Sequence, residues 1–168
     1  MRIPDYTIRP ATLADTDAIV SQRISMFTEM GTSIDADAVT AAFRQWLAQS
    51  MPDGTYRAWI VETRGSAKTV PQEDPAVTVV AGGGITILPW PPGPHWIGGR
   101  VAFVYNVYTA PAHRSRGLAR LVMETIHAWC RANGIGVIGL AASEAGRPLY
   151  ESMGYETGAS PTMWTALE

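Results

Sequence analysis

The chain has a single cysteine, Cys130, so no disulfide can form within it. The opening residues Met1-Arg2-Ile3-Pro4-Asp5 lack the apolar core of a secretory signal, and charged or polar residues interrupt every apolar run before it could cross a bilayer. These absences predict a soluble protein of the cytoplasm with no membrane partner. Charge is also close to balance: 13 Lys+Arg against 15 Asp+Glu leave a formal net charge of -2, which removes any global electrostatic case for nucleic acid. No His/Cys/Asp cluster has metal-ligand spacing, no Lys-Ser/Thr pair completes a phosphate loop, and no glycine fingerprint opens a helix ahead of an acidic ribose contact. The expectation is a protein without a metal that is neither a nucleotide hydrolase nor a dinucleotide dehydrogenase. What is present is ordinary globular material, 46% hydrophobic over 168 residues without repeats, enough for one domain spanning 1–168 with its own core.

Tyr6-Thr7-Ile8-Arg9 alternates as a strand and Pro10 ends it. A helix follows, with Thr12 as N-cap, Asp15 three residues on, Gly31 as its stop, and Leu13, Val20, Ile24 and Phe27 on one face. Arg23, Met26 and Met30 form a stripe beside that face, either flank packing or the border of a substrate cleft; Glu29 projects away from the core. Val39, Phe43, Trp46 and Leu47 mark a second helix over 35–49. Strands are predicted over 56–62 and 77–88, with a polar loop over 64–75 between them. Gly82-Gly83-Gly84 within the second of these reads as close backbone packing or a bulge. The segment 88–100 carries Pro89, Trp90, Pro91, Pro92, Pro94, His95 and Trp96, and is either the wall of an apolar pocket or a hairpin connection with packed tryptophans.

A strand over 101–109 leads into a helix over 117–133 with Leu118, Leu121, Val122, Thr125, Ile126 and Trp129 on one face. Cys130 lies to the side of that face, in a packing role, and His127 is read as a solvated surface residue. A short strand over 137–141 completes a β-α-β unit, and a short helix over 146–153, a Gly154 stop and a last strand over 162–167 follow. The fold class is α/β in the mixed α+β sense. Between the strand and the long helix stands His113-Arg114-Ser115-Arg116-Gly117-Leu118-Ala119-Arg120. A basic, glycine-containing turn at that place directs backbone N–H groups and the positive end of the helix dipole at one spot, which suits a phosphate.

Arg114-Ser115-Arg116-Gly117-Leu118-Ala119 resembles the acyl-CoA pyrophosphate signature Arg/Gln-x-x-Gly-x-Gly/Ala of the GNAT superfamily of N-acetyltransferases. Thr109 and Pro111 stand at the preceding strand end, and Leu149-Tyr150-Glu151-Ser152-Met153-Gly154-Tyr155 resembles the family's leucine-tyrosine-x-x-x-glycine-aromatic motif at the expected distance. The resemblance covers the chain closely from about Val77 onward and loosely before it. It implies the GNAT fold, a mostly antiparallel central sheet with one parallel, splayed strand pair, flanked by helices. It also implies acetyl-CoA as acyl donor. The pyrophosphate would meet Arg114, Ser115, Arg116, Gly117, Leu118 and Ala119. The pantetheine arm would lie in the wedge between the splayed strands, bonded by backbone groups of Val107 and Thr109. Tyr150 would protonate the departing thiolate, with simple core packing as the alternative. Ser143 stands where many relatives have an asparagine that contacts the arm, and its reach is shorter.

The acceptor must lose a proton. Doing so at pH 7 costs about 4.6 kcal/mol for a lysine-like amine and about 1.1 kcal/mol for an α-amino group. Some family members carry a glutamate early in the strand before the pyrophosphate turn, whereas this chain has Ala102 there and no acid over 101–109. The expected reaction is therefore direct attack by a small amine, such as an amino acid, metabolite or antibiotic. Proton loss would go through water held by Tyr105 or Asn106, and a backbone N–H near Val107 would polarise the thioester carbonyl. Arg9, Arg23, Trp90, Trp96 and Asn106 are the candidate acceptor contacts. The alternative is a non-catalytic acyl-CoA sensor or partner-binding module. Met163 and Trp164 in the last strand would permit a homodimer.

Overall fold

A computed structural model of the chain describes residues 3–64, 77–93, 96–158 and 165. Five strands form one sheet in sequence order: β1 (Tyr6–Pro10), β2 (Tyr56–Arg64), β3 (Val77–Pro89), β4 (Arg100–Thr109) and β5 (Ile138–Leu140). The first four pair antiparallel and β5 joins β4 in parallel. This is the mixed α+β architecture that the motifs implied. The helices are α1 (Thr16–Glu29), α2 (Ala36–Ser50), α3 (Leu118–Ala132) and α4 (Arg147–Glu151). No described helix is long and apolar enough to cross a membrane. The predicted loop over 64–75 falls, but for Arg64, outside the described residues, as do His95, Met163, Trp164 and nearly all of the expected last strand.

The two faces of the sheet build separate cores because side chains alternate along each strand. On β2, Trp59 and Val61 point to one side and pack with Leu118, Val122, Met123 and Ile126 of α3; Tyr56, Ala58 and Ile60 point to the other and meet Ile19, Val20 and Leu47 of α1 and α2. The predicted face of the first helix needs one correction. Leu13 is 49% exposed, because residues 13–15 form a separate 3₁₀ turn and the α-helical phase starts only at Thr16. On α3 the core face is wider than expected: Met123 and Cys130 are fully buried, and burial pushes the Cys130 thiol up to about 11. His127 is not a solvated surface residue. It is half-buried with its Nε2 2.7 Å from the Tyr155 hydroxyl, since α4 and its following turn fold back over α3.

The start of α1 is held by charge. Asp15 receives two hydrogen bonds from Arg9, at 2.7 and 2.9 Å, and one from the Thr12 N–H at 2.8 Å; Arg9 Nε donates to Glu62 at 2.9 Å. Arg9, proposed from sequence as an acceptor contact, is thus committed to structure. The Arg9 guanidinium holds the buried Asp15 carboxyl down at about 2 against its ordinary 3.8. A carboxyl depressed on folding contributes stability above its unfolded pKa and loses it as pH falls through the folded value, here on the order of 2 kcal/mol. Urea midpoints should therefore fall between about pH 4 and pH 2, and Asp15→Asn should flatten that part of the profile.

Candidate active site

The site begins with a change of register. β4 opposes β3 in one register from Arg100↔Pro89 to Tyr105↔Gly84, then resumes one residue later at Tyr108↔Gly82 and Thr109↔Ala81. The extra residue is a bulge, and Asn106 within it takes a left-handed φ of 57°. Two consequences follow from a period of two being shifted by one. Before the bulge the even-numbered amides face β5, as the Ala102 N–H bonded to Val137 O shows; after it Ala110 N–H bonds to Val80 O, so Val107 and Thr109 turn their N–H and C=O away from β3. The side chains shift as well. Ala102, Val104 and then Val107 pack on the α3 side, whereas Tyr105, Asn106 and Tyr108 fall on the side of α1 and α2.

The parallel pairing of β4 with β5 ends at Val104↔Leu140. Past that point β4 runs on to Thr109 paired with β3 but, among the described residues, with no strand on its β5 side, leaving a wedge edged by the Val107 and Thr109 backbone. Thr109 Oγ1 is buried and has no hydrogen-bond partner among the described residues. Below the wedge, Gly117 enters α3 with φ 79° and Ser115 has φ 59°. The left-handed turns aim successive N–H groups the same way, and among the described residues none accepts from the N–H groups of 115–120. Gly117 suits this turn because a side chain is strained at that φ.

The arginines of the turn have protein partners. Arg114 donates to Thr109 O at 3.0 Å and pairs with Glu29, which also accepts from the Tyr108 hydroxyl at 2.8 Å. That pairing, then Tyr108, lowers the Glu29 carboxyl pKa. Arg116 donates to the Tyr6 hydroxyl at 3.1 Å, and Arg120 to Ser152 Oγ at 2.6 Å, which ties the start of α3 to α4. Glu29 supplies part of the negative charge that the helix start calls for. The sequence placed it facing away from the core, and it does, but nothing local revealed its partner.

On α4, Tyr150 packs edge-to-face on Tyr155 at 5.8 Å, and its ring lies close against Gly146. Its hydroxyl has no partner among the described residues, and burial raises its pKa. Ser143 Oγ accepts from the Gly146 N–H at 3.2 Å, opening the turn into α4, and retains its own proton to donate.

The acceptor candidates divide. Arg23 and Asn106 meet: the guanidinium donates to Asn106 Oδ1 at 2.5 Å, and Asn106 Nδ2 donates to the Tyr56 hydroxyl at 3.4 Å. Asn106 is only 6% exposed, because the bulge turns it inward, and these partners use its amide oxygen and one of its two N–H groups. Tyr105, the other candidate to hold a water for the acceptor, is 39% exposed. Trp90 and Trp96 are elsewhere. Trp90 lies beyond the Pro89↔Arg100 pair, about 20 Å of strand from Asn106 at about 3.3 Å per residue. Trp96 bonds Arg100 O and lies against Gly98 and Gly136, in a hairpin connection closed by the Gly93↔Trp96 bridge. Tyr56 was missed from sequence. Its place at a strand start looks like core alone, yet its buried hydroxyl, pushed up to about 12 by burial, supports Asn106.

The sequence pattern of the Acetyltransferase (GNAT) family matches residues 32–155. The solved structure of a GCN5-related N-acetyltransferase from Ralstonia eutropha JMP134 superposes with a TM-score of 0.81 at 28% identity, over 95% of this chain and 98% of that one. A predicted acetyltransferase from Clostridium acetobutylicum, solved with acetyl-CoA, gives 0.78 at 21% identity over 97% and 96%. Glucosamine-6-phosphate N-acetyltransferase from Arabidopsis thaliana gives 0.68 at 14% identity over 97% and 99%. The last two likenesses bear on the fold alone. No curated protein sequence matches the chain.

Proposed function

The chain belongs to the GNAT acetyltransferase family and is an acyltransferase, and from that premise we propose that it moves an acetyl group from acetyl-CoA to the amine of a small molecule. The observation that carries this reading is the open edge of β4. The bulge presents the Val107 and Thr109 backbone to the wedge, and the turn that follows β4 carries N–H groups of 115–120 without an acceptor among the described residues, so the strand edge suits an extended thioester arm and the turn its pyrophosphate. The buried Thr109 Oγ1, without a partner among the described residues, is a further polar group at that end of β4.

In this reading the pyrophosphate lies at Arg114 to Ala119 and the thioester lies near the parting of β4 and β5. The neutral amine forms a C–N bond to the carbonyl carbon, and a backbone N–H near Val107 stabilises the oxyanion. The C–S bond then breaks, the Tyr150 phenol gives its proton to the CoA sulfur, and the amine proton leaves to water. The phenolate recovers its proton from solvent. Ser143 can donate to the arm. With no acid on β4, that strand offers no dedicated base, which favours a small amine less basic than a lysine side chain.

The test is acetyl-CoA incubated with the purified protein and a panel of small amines, amino acids and a lysine peptide, followed by thiol release and product mass. Acetylation of small amines ahead of the peptide is expected. Faster lysine modification would sink the acceptor reading, and tight acetyl-CoA binding without any transfer would replace the enzyme reading by that of a sensor.

A further inference from the structure

Among the described residues, no carboxylate answers the charge of Arg23. The residue is half-buried on α1, its guanidinium 4.8 Å from the Phe27 ring centroid and 4.7 Å from that of Phe43 on α2. Arg9, Arg44 and Arg114 each pair with an acid; Arg23 has none among the described residues, and the titratable groups it faces are the Tyr56 and Tyr105 hydroxyls. One protein hydrogen bond, to Asn106 Oδ1, uses a single donor of a group that has five. The aromatic faces and Asn106 hold the fork in place without neutralising it. A half-buried cation without a counter-charge among the described residues is poorly explained by packing, because an apolar side chain of the same volume would serve that contact better.

Its position makes the unpaired charge useful. The bulge sets Tyr105 and Asn106 consecutively on the α1 and α2 side, where β4 and β5 part. With the pyrophosphate at the α3 start, that parting is where the thioester end of the arm falls. We propose that Arg23 binds the carboxylate of the acceptor, which makes the acceptor a free α-amino acid or a small amine with a carboxylate next to its amine. The guanidinium fork matches a carboxylate bidentately, and an amine one carbon away from that carboxylate then sits at the mouth of the wedge. Asn106 and Tyr56 act as positioning residues for Arg23. The inference rests on the acetyl-transfer reading above.

The test compares three forms of each acceptor with the intact protein: the common α-amino acids, their carboxamides and the corresponding decarboxylated amines. The free acids should have the highest kcat/KM, although the carboxamides have the less basic amines and on reactivity alone would win. Arg23→Met should raise the amino-acid KM about tenfold or more, leave the KM for acetyl-CoA unchanged and erase the preference; Arg23→Lys should retain part of it. Equal or better use of the carboxamides or decarboxylated amines by the unaltered protein overturns the proposal while leaving acetyl transfer standing. So does an Arg23→Met defect equal for all three forms, which is what a purely structural role predicts. If no amine in any series is acetylated, the acetyl-transfer reading fails and this one falls with it. Should Arg23→Met not fold, the comparison within the unaltered protein still decides.

Discussion

Tyr150→Phe should lower kcat about 10²-fold with little change in acetyl-CoA affinity or melting temperature. The substitution removes one oxygen and keeps the ring that packs on Gly146 and Tyr155, so the fold loses little. The hydroxyl makes no hydrogen bond to any described residue and is therefore free for a ligand. Burial raises its pKa, which keeps the phenol protonated at neutral pH. The same burial destabilises a bare thiolate in the wedge, because both charged forms are anions that lose solvation together. Proton transfer thus accompanies C–S cleavage, and its loss should appear in the chemical step and not in binding. A donor thioester with a more acidic thiol should recover much of the lost rate, since such a thiolate leaves without a proton. A Tyr150→Phe protein with kcat within about threefold of the original would assign Tyr150 to packing alone.

Gly84→Ala should destabilise the protein by about 1–3 kcal/mol, and Gly84→Val by more. A Cβ at Gly84 would lie 2.2 Å from the Tyr56 hydroxyl oxygen and 2.4 Å from Cζ of its ring, and Tyr56 is 1% exposed with nowhere to move. The strain lands beside the bulge, since Gly84 opposes Tyr105 and the Tyr56 hydroxyl supports Asn106. Urea midpoints measure the loss. Pairing Gly84→Ala with Tyr56→Leu should cost clearly less than the sum of the two alone, because removing the ring removes the collision. Strict additivity would show that the ring and the glycine do not interact.

The order of elements was legible because its signals are local. The Thr12 and Asp15 pair at the first helix start, the apolar spacing of α3 and the sheet strands each depend on residues a few positions apart. The glycine run of β3 was read as close packing or a bulge on the same basis, and the structure contains both: Gly84 takes the Tyr56 ring and the register shifts opposite Gly83. The errors came where distant segments meet. His127 looked solvated until Tyr155 folded over it, and local spacing left Trp90 and Trp96 open between a pocket wall and a hairpin connection until the β3–β4 pairing set them in the connection at the far end of β4.

The sequence alone determined the basic turn between a strand and a helix and the two motifs whose spacing marks an acetyltransferase, since backbone conformation and short-range spacing set both. Only the tertiary structure decided that Glu29 pairs with Arg114, that Asn106 turns inward to Arg23 and Tyr56, and that Arg23 has no acid partner among the described residues. Arg23 and Asn106 are 83 positions apart, and one inserted residue in β4 sets which side of the sheet Asn106 occupies. Whether a cation meets an acid depends on every described segment packed around it, and no local stretch of sequence contains that information.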